Sequence, residues 1–258
     1  INIDSNTFTI LTSKGFIYKF GKNYDFKYKL DDNVEILYKK NLNNFTNIQN
    51  IDIKKINKIS NFKFLNNSLF KDYENEALEI LKNMMIEEKI GQLLLARIPE
   101  KEKIDTIKNY HIGGYILFGR DVNNKSKSEL IDEIKNYQNN SKIPLLIAID
   151  EEGGTVSRLS SNKNILTNPF LSSQEIYKNK GFDGIRDDTI NKSKILYELG
   201  INLNLAPVAD VSINEDDYIF KRSFGKNADL TSKYIETVIS NTDYKVSYTL
   251  KHFPGYGN

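Results

Sequence analysis

The sequence predicts an α/β fold built on a parallel sheet, preceded by a small antiparallel β module. Three observations carry this. From Tyr73 onward, segments with helical spacing of apolar residues alternate with short apolar runs. One such run, Pro144 to Asp150, is almost continuously apolar, as a parallel strand covered on both faces should be. Residues 1 to 70 instead show period-2 patches separated by turn residues.

The first region, residues 1–70, holds 12 of the 29 aromatics and 13 asparagines, with no arginine or proline. Its patches are Phe8–Thr12, Phe16–Phe20, Tyr24–Tyr28 and Val34–Tyr38, and Ser13-Lys14-Gly15, Gly21-Lys22-Asn23 and Asp31-Asp32-Asn33 lie between them. That pattern is a meander of short antiparallel strands. Its aromatics fit the core of a small sheet, and a sugar-stacking surface is the alternative.

The second region, residues 71–258, begins with Ala77, Leu78, Leu81, Met84 and Met85 at helical spacing. Five strands are expected near 92–98, 114–119, 144–150, 201–209 and 246–251. Between them lies a helix near Ser126 to Asn139, with Ser126 and Glu129 at capping-box spacing and Leu130, Ile134 and Tyr137 as its apolar stripe. Another runs from near Arg186 to Leu199 and stops at Gly200, and a third, capped by Asp229, carries Leu230, Tyr234 and Val238. Repeated strand-then-helix units imply right-handed crossovers. Polar residues at the C-terminal ends of several strands favour a barrel over a doubly wound sheet, but periodicity alone leaves that choice open.

Composition narrows the function. Hydrophobic residues at 39% and charged residues at 27% support a buried core. A net charge of +2 argues against a nucleic-acid partner. The absence of cysteine excludes disulfides and thiolate metal sites, and two histidines, His111 and His252, exclude a histidine-rich zinc site. No apolar run reaches the roughly 20 residues of a membrane span. No metal and no cofactor is expected.

The chemistry gathers at strand ends. The third strand ends in Asp150-Glu151-Glu152-Gly153-Gly154, with Arg158 a few residues on. A carboxylate at a strand mouth can accept hydrogen bonds from sugar hydroxyls, and the glycines let the backbone approach a ligand; an acidic turn capping a helix is the alternative. The fourth strand ends in Ala206-Pro207-Val208-Ala209-Asp210, where the proline implies a bulge or a strand end. Lys221-Arg222-Ser223-Phe224-Gly225 follows, and the fifth strand runs into Lys251-His252-Phe253-Pro254-Gly255-Tyr256-Gly257. Adjacent Lys251 and His252 can serve one ligand only if the strand is irregular there. Lysine is the default cation of this chain, with 31 lysines against five arginines, so Arg222 suggests a site that wants a planar fork. Arg120 is a weaker candidate, and His111 lies on the opposite side from the expected pocket.

Together these motifs resemble the β-N-acetylhexosaminidase (N-acetylglucosaminidase) branch of glycoside hydrolase family 3. They come in family order: Ile86–Leu94, Gly113–Phe118, Asp150–Gly154, Gly200–Asp210, Arg222–Gly225 and Lys251–Gly255. The resemblance covers about residues 80–258 and implies a (β/α)8 TIM-type barrel whose first five strands are present. It implies that Asp150, Arg158, Arg222, Lys251 and His252 line the subsite for the terminal sugar. It also implies a retaining hydrolysis of terminal β-linked N-acetylglucosamine from peptidoglycan- or chitin-derived saccharides. The aspartate nucleophile and the loop histidine that donates the proton are then expected after Asn258, with the remainder of the barrel supplied by the same or another chain. Many members carry histidine where Tyr256 stands, which leaves the shape of that loop open.

Alternatives are a non-catalytic saccharide-binding protein, a truncated inactive barrel, or another family activity such as a β-glucosidase or phosphorylase. The added module and the start at Ile1 fit an exported or lipid-anchored protein of a Gram-positive bacterium, with a cytoplasmic enzyme as the alternative.

Overall fold

A computed structural model describes the backbone of five short strands between Asn2 and Lys58, and residues 73–242 and 245–256. The chain divides into two compact units, Ile1–Glu79 and Ile80–Asn258.

In the first unit, β1 (Asn2–Ile3), β2 (Thr7–Leu11) and β3 (Ile17–Gly21) form an antiparallel sheet in that order. β4 (Val34–Tyr38) pairs antiparallel with β5 (Ile53–Lys58), with an irregularity at Leu37/Tyr38. Three of the four period-2 patches fall on these strands, and Tyr24–Tyr28 lies outside the described residues. β5 was not expected. Its Ile-Lys-Lys-Ile-Asn-Lys sequence has apolar residues three apart, so it lacks the alternation that marks a strand.

The second unit is a parallel sheet of five strands: β6 (Leu95–Arg97), β7 (Gly114–Leu117), β8 (Leu146–Ile149), β11 (Leu203–Asn204) and β12 (Ser247–Tyr248). Two short strands, β9 (Glu151–Gly153) and β10 (Val156–Ser157), form a separate hairpin beyond β8. Sheet order equals chain order, each parallel strand pairing with the next. A doubly wound sheet reverses its order partway; this one does not, and it follows the singly wound path of a barrel.

Helices fill the crossovers. α1 (Glu74–Lys82) and α2 (Ile86–Gly91) precede β6, α3 (Lys103–Tyr110) leads to β7, and α4 (Gly119–Val122) with α5 (Lys127–Asn139) leads to β8. α6 (Ser173–Glu198) precedes β11, and α7 (Ala228–Ile239) precedes β12. The core joins sheet to helices: Tyr115, Leu117, Ile147 and Ile149 pack with Leu130, Ile134 and Tyr137 of α5 and with Leu196 of α6. Each such fully buried apolar side chain contributes about 1.5–3 kcal/mol relative to exposure. Tyr115 and Tyr137 meet edge to face at 5.3 Å, and the Tyr115 hydroxyl donates to the Lys103 carbonyl at 2.6 Å.

Several boundaries move. The capping box of α5 forms as expected, with Ser126 N–H donating to Glu129 at 2.7 Å. The first strand is shorter than expected because Gln92 caps α2, whose start is fixed by Met85 N–H donating to Glu88 at 2.7 Å. Met84 and Met85 therefore link two helices. α6 begins at a second capping box, Ser172 with Glu175, thirteen residues before the expected start near Arg186. Gly181, at φ 60°, kinks it and interrupts the apolar period that would have marked its first turns. Gly200, at φ 83°, ends it as expected. α7 is capped by Asn227, whose side chain accepts from Leu230 N–H at 3.1 Å, and not by Asp229, which lies in its first turn.

The alternating asparagines at β11 have a ladder role. Asn202 accepts from Ile147 N–H at 2.7 Å, and Asn204 accepts from Glu151 N–H at 3.0 Å, so both stitch β11 to the β8 side. Beyond the regular strands, pairing resumes between Val208 and Lys251, and Ala209 N–H donates to the Lys251 carbonyl at 2.7 Å. This holds the two polar strand ends side by side. Among the described residues, no helix is long and apolar enough to cross a membrane.

Candidate active site

At the C-terminal mouth of the sheet the strand ends converge into one charged network. Asp150 follows β8 directly. Its Oδ1 lies 2.8 Å from Lys251 Nζ, and its Oδ2 lies 3.3 Å from Arg158 Nη2. Burial pushes the Asp150 carboxyl up, but Lys251 and Arg158 more than offset that and hold it below the usual carboxylate range.

Arg158 returns to the mouth because Glu151 anchors the loop. The Glu151 side chain is fully buried and accepts from Ser157 Oγ, from Arg158 N–H at 3.0 Å and from Leu159 N–H at 2.9 Å. Burial pushes its carboxyl up, and these donors offset that only in part. The tight path requires Gly153 at φ 91°, where a Cβ would lie 2.2 Å from the Leu171 carbonyl oxygen. The Arg158 guanidinium lies 5.6 Å from the Phe118 ring centre, and its Nε is buried without a partner among the described residues.

Glu152 is more buried than Asp150 and Asp210. Its side chain is 4% exposed. It accepts a two-pronged pair from Arg222, at 3.0 Å from Nε and 2.8 Å from Nη2, and also contacts Lys251 Nζ. The bidentate geometry is what a guanidinium supplies and an ammonium does not, which matches the expectation for Arg222. Glu152 raises the Arg222 pKa further.

His252 closes the network. Its Nδ1 lies 2.7 Å from Asp210 Oδ2, its Nε2 lies 3.1 Å from Arg222 Nη2, and its backbone N–H donates to the same Asp210 oxygen at 3.1 Å. A guanidinium only donates and a carboxylate only accepts, so the partners assign the proton to Nδ1 and leave Nε2 as an acceptor. Burial pushes Asp210 up, while His252 and the Tyr256 N–H, which donates at 2.7 Å, bring it below its usual value. The peptide joining Lys251 to His252 is cis, and both side chains reach the network, so the backbone is irregular there. Next to it, a groove of about 560 Å³ runs from Asp210 and His252 past Ile219 to Tyr256.

The structure thus brings all five sequence-chosen residues, Asp150, Arg158, Arg222, Lys251 and His252, into one network. Glu152 and Asp210 were quoted in the motifs but not chosen; they supply the second and third carboxylates. Arg120 is structural: it pairs with Glu100 at 3.1 Å and donates to the Ile98 carbonyl. His111 caps α3 at its C-terminus, at the other end of the sheet. Among the described residues, no group of three or more His, Cys, Asp or Glu is arranged to hold a metal. Three carboxylates balanced by three cations, in a partly dry mouth, can fix several hydroxyls of a neutral polar ligand.

Comparison with known proteins matches residues 85–258 to the glycosyl hydrolase family 3 N terminal domain. The chain belongs to that family, and its second unit has the family's TIM-type barrel architecture. It is 32% identical over 173 residues to the beta-hexosaminidase LpqI of Mycobacterium tuberculosis, covering 66% of this chain and 43% of that one. It is 33% identical over 162 residues to the beta-hexosaminidase A of Pseudoalteromonas piscicida, covering 61% of this chain and 27% of that one. Among solved structures it resembles a glycoside hydrolase family 3 beta-N-acetylglucosaminidase from Paenibacillus sp. FPU-7, with a TM-score of 0.60 and 28% identity over 68% of this chain and 34% of that one. The chain spans less than half the length of these three relatives.

Proposed function

We propose that the protein removes terminal β-linked N-acetylglucosamine from peptidoglycan- or chitin-derived saccharides, and that this chain supplies the pocket for the terminal sugar. The carrying observation is the continuous network Asp150–Lys251–Glu152–Arg222–His252–Asp210 at the strand mouth. Asp150 accepts from hydroxyls, Lys251 and Arg158 donate to them, and His252 stands beside them as part of the wall of the same pocket. Arg222, braced by Glu152, sets the orientation of His252. Such charged hydrogen bonds tighten when water is excluded and fix the ring against the reacting group. Within the described residues this reading assigns binding, not bond cleavage: Asp150, Glu152 and Asp210 are each held by cations or N–H donors. The names of the relatives, beta-hexosaminidase and beta-N-acetylglucosaminidase, support the choice of sugar.

A retaining course is part of the proposal, and the resemblance to glycoside hydrolase family 3 supports it. A place outside the cytoplasm or on the cell surface is part of the same proposal, supported by the β-rich unit ahead of the barrel. Fractionation with an antibody tests it, and a purely cytoplasmic pool would contradict it. The activity is tested with 4-nitrophenyl N-acetyl-β-glucosaminide and the matching β-glucoside. Preferential release from the first supports the proposal. Preference for the glucoside would assign another family activity, and sugar binding without turnover would assign a saccharide-binding role.

A further inference from the structure

Beside the charged network lies an aromatic pair that the network does not require. Tyr218, in the segment between β11 and α7, and Tyr256, past β12, stack ring on ring with centres 5.5 Å apart and planes 16° apart. Tyr256 is anchored inward: its N–H donates to Asp210, its ring meets His252 at 4.8 Å, and the Arg222 guanidinium lies 5.4 Å from its ring centre. Tyr218 is the outer member, with 72% of its surface exposed against 44% for Tyr256. The pair therefore forms a step leading outward from Arg222, through Tyr256, to an open aromatic face.

Two large rings ordered against each other at the rim of a polar pocket form a preorganised apolar surface. A pyranose has the matching chemistry. Its hydroxyls lie around the ring edge and its axial C–H groups form an apolar face that packs on an aromatic one. The network takes hydroxyls; the tyrosines offer what the face of the neighbouring unit needs. We propose that Tyr218 and Tyr256 form a stacking platform for the second sugar of an oligosaccharide whose terminal sugar sits in the charged network. The platform rests on the saccharide reading above and adds a second subsite to it. It also gives Tyr256 a definite place: the residue both packs on Arg222 and His252 and carries the outer ring.

The test is calorimetric titration of the full protein with N-acetylglucosamine and with a thio-linked analogue of di-N-acetylchitobiose, which is not turned over. Four proteins are compared: wild type, Tyr218→Ala, Tyr218→Phe and Tyr110→Ala. Tyr110 is an exposed tyrosine on α3, away from the mouth. Wild type should bind the disaccharide more tightly than the monosaccharide. Tyr218→Ala should lose disaccharide affinity by between about two- and tenfold, the size of one aromatic contact, with its monosaccharide affinity kept. Tyr218→Phe keeps the ring and should keep the gain, and Tyr110→Ala should match wild type. Equal loss for both sugars in Tyr218→Ala, or no loss for the disaccharide, would overturn the platform. A wild type that binds the monosaccharide but gains nothing from the disaccharide would overturn the platform alone. A wild type that binds neither sugar would overturn the platform and the saccharide reading together.

Discussion

Lys251 Nζ sits 2.8 Å from Asp150 Oδ1, although 101 residues separate them in the chain. The contact exists because β8, β11 and β12 lie side by side in chain order, so that the ends of the first and the last open onto the same mouth. Lys251 also touches Glu152, and it therefore neutralises two carboxylates at once. Both sit in a pocket where an uncompensated charge is costly.

Removing that cation should be felt in stability and in binding. Lys251→Met leaves Asp150 with Arg158 alone and Glu152 with Arg222 alone. Breaking a buried pair from one side costs about 3–5 kcal/mol when the charge is left uncompensated, and less here because each carboxylate keeps one cation. A lower Tm and loss of N-acetylglucosamine binding are expected from thermal denaturation and calorimetry, and an unchanged Tm would show that the network is solvated.

Arg222→Lys should not be conservative. The guanidinium makes two bonds to Glu152 and one to His252, and an ammonium cannot reproduce that fork. The expected result is binding weakened by at least about tenfold, or about 1.4 kcal/mol, with the fold retained by circular dichroism. Wild-type affinity in the lysine variant would contradict the bidentate role.

Acid should weaken the fold below about pH 4. Asp150 and Asp210 have folded pKa values lowered below their usual range, and Glu133 is held at about 2, burial being outweighed by Lys103, Lys125 and Tyr137. The unfolded chain binds protons at these groups first, near about 4, so their stabilisation is full above that value. It is lost as pH falls through the lower folded values. Glu151, whose pKa is raised, acts in the opposite sense: its protonated folded form is favoured at low pH, and its contribution fades as pH rises through the folded value. Thermal denaturation between pH 2 and 6 should show the loss in wild type and a shallower slope in Glu133→Gln. A slope unchanged by that substitution would contradict the role given to Glu133.

Two glycines should separate conformation from packing. At Gly181, φ is 60° and ψ is −151°, a backbone region that is essentially glycine-only, and an added Cβ meets nothing within 4 Å, so Gly181→Ala should cost only that backbone strain, on the order of 1–3 kcal/mol. At Gly153, with φ at 91°, the Cβ would also strike the Leu171 carbonyl oxygen. Gly153→Ala should be markedly more destabilising and should displace Arg158. Equal melting temperatures for the two variants would contradict the close approach.

The places of the parallel strands and the α5 cap were legible in the sequence because each leaves a local mark, an apolar run or an S-x-x-E spacing; the strand order and the five site residues came from the family resemblance. The start of α6 was missed because Gly181 breaks its period, although Ser172 and Glu175 carry the same capping signature as Ser126 and Glu129. Glu152 and Asp210 were missed for another reason. Nothing near Glu152 in sequence indicates that its partner is Arg222, 70 residues away, and Asp210 finds His252 only because Val208 pairs with Lys251. Long-range partners of this kind follow from topology, and local spacing does not contain them.

The most direct measurement is a crystal structure of the full protein with N-acetylglucosamine bound. The account requires the sugar at the strand mouth, with hydroxyls within hydrogen-bond distance of Asp150, Lys251 and His252 and one ring edge facing Arg158. A sugar bound elsewhere, with the Asp150–Lys251 and Glu152–Arg222 pairs untouched by ligand, would contradict it.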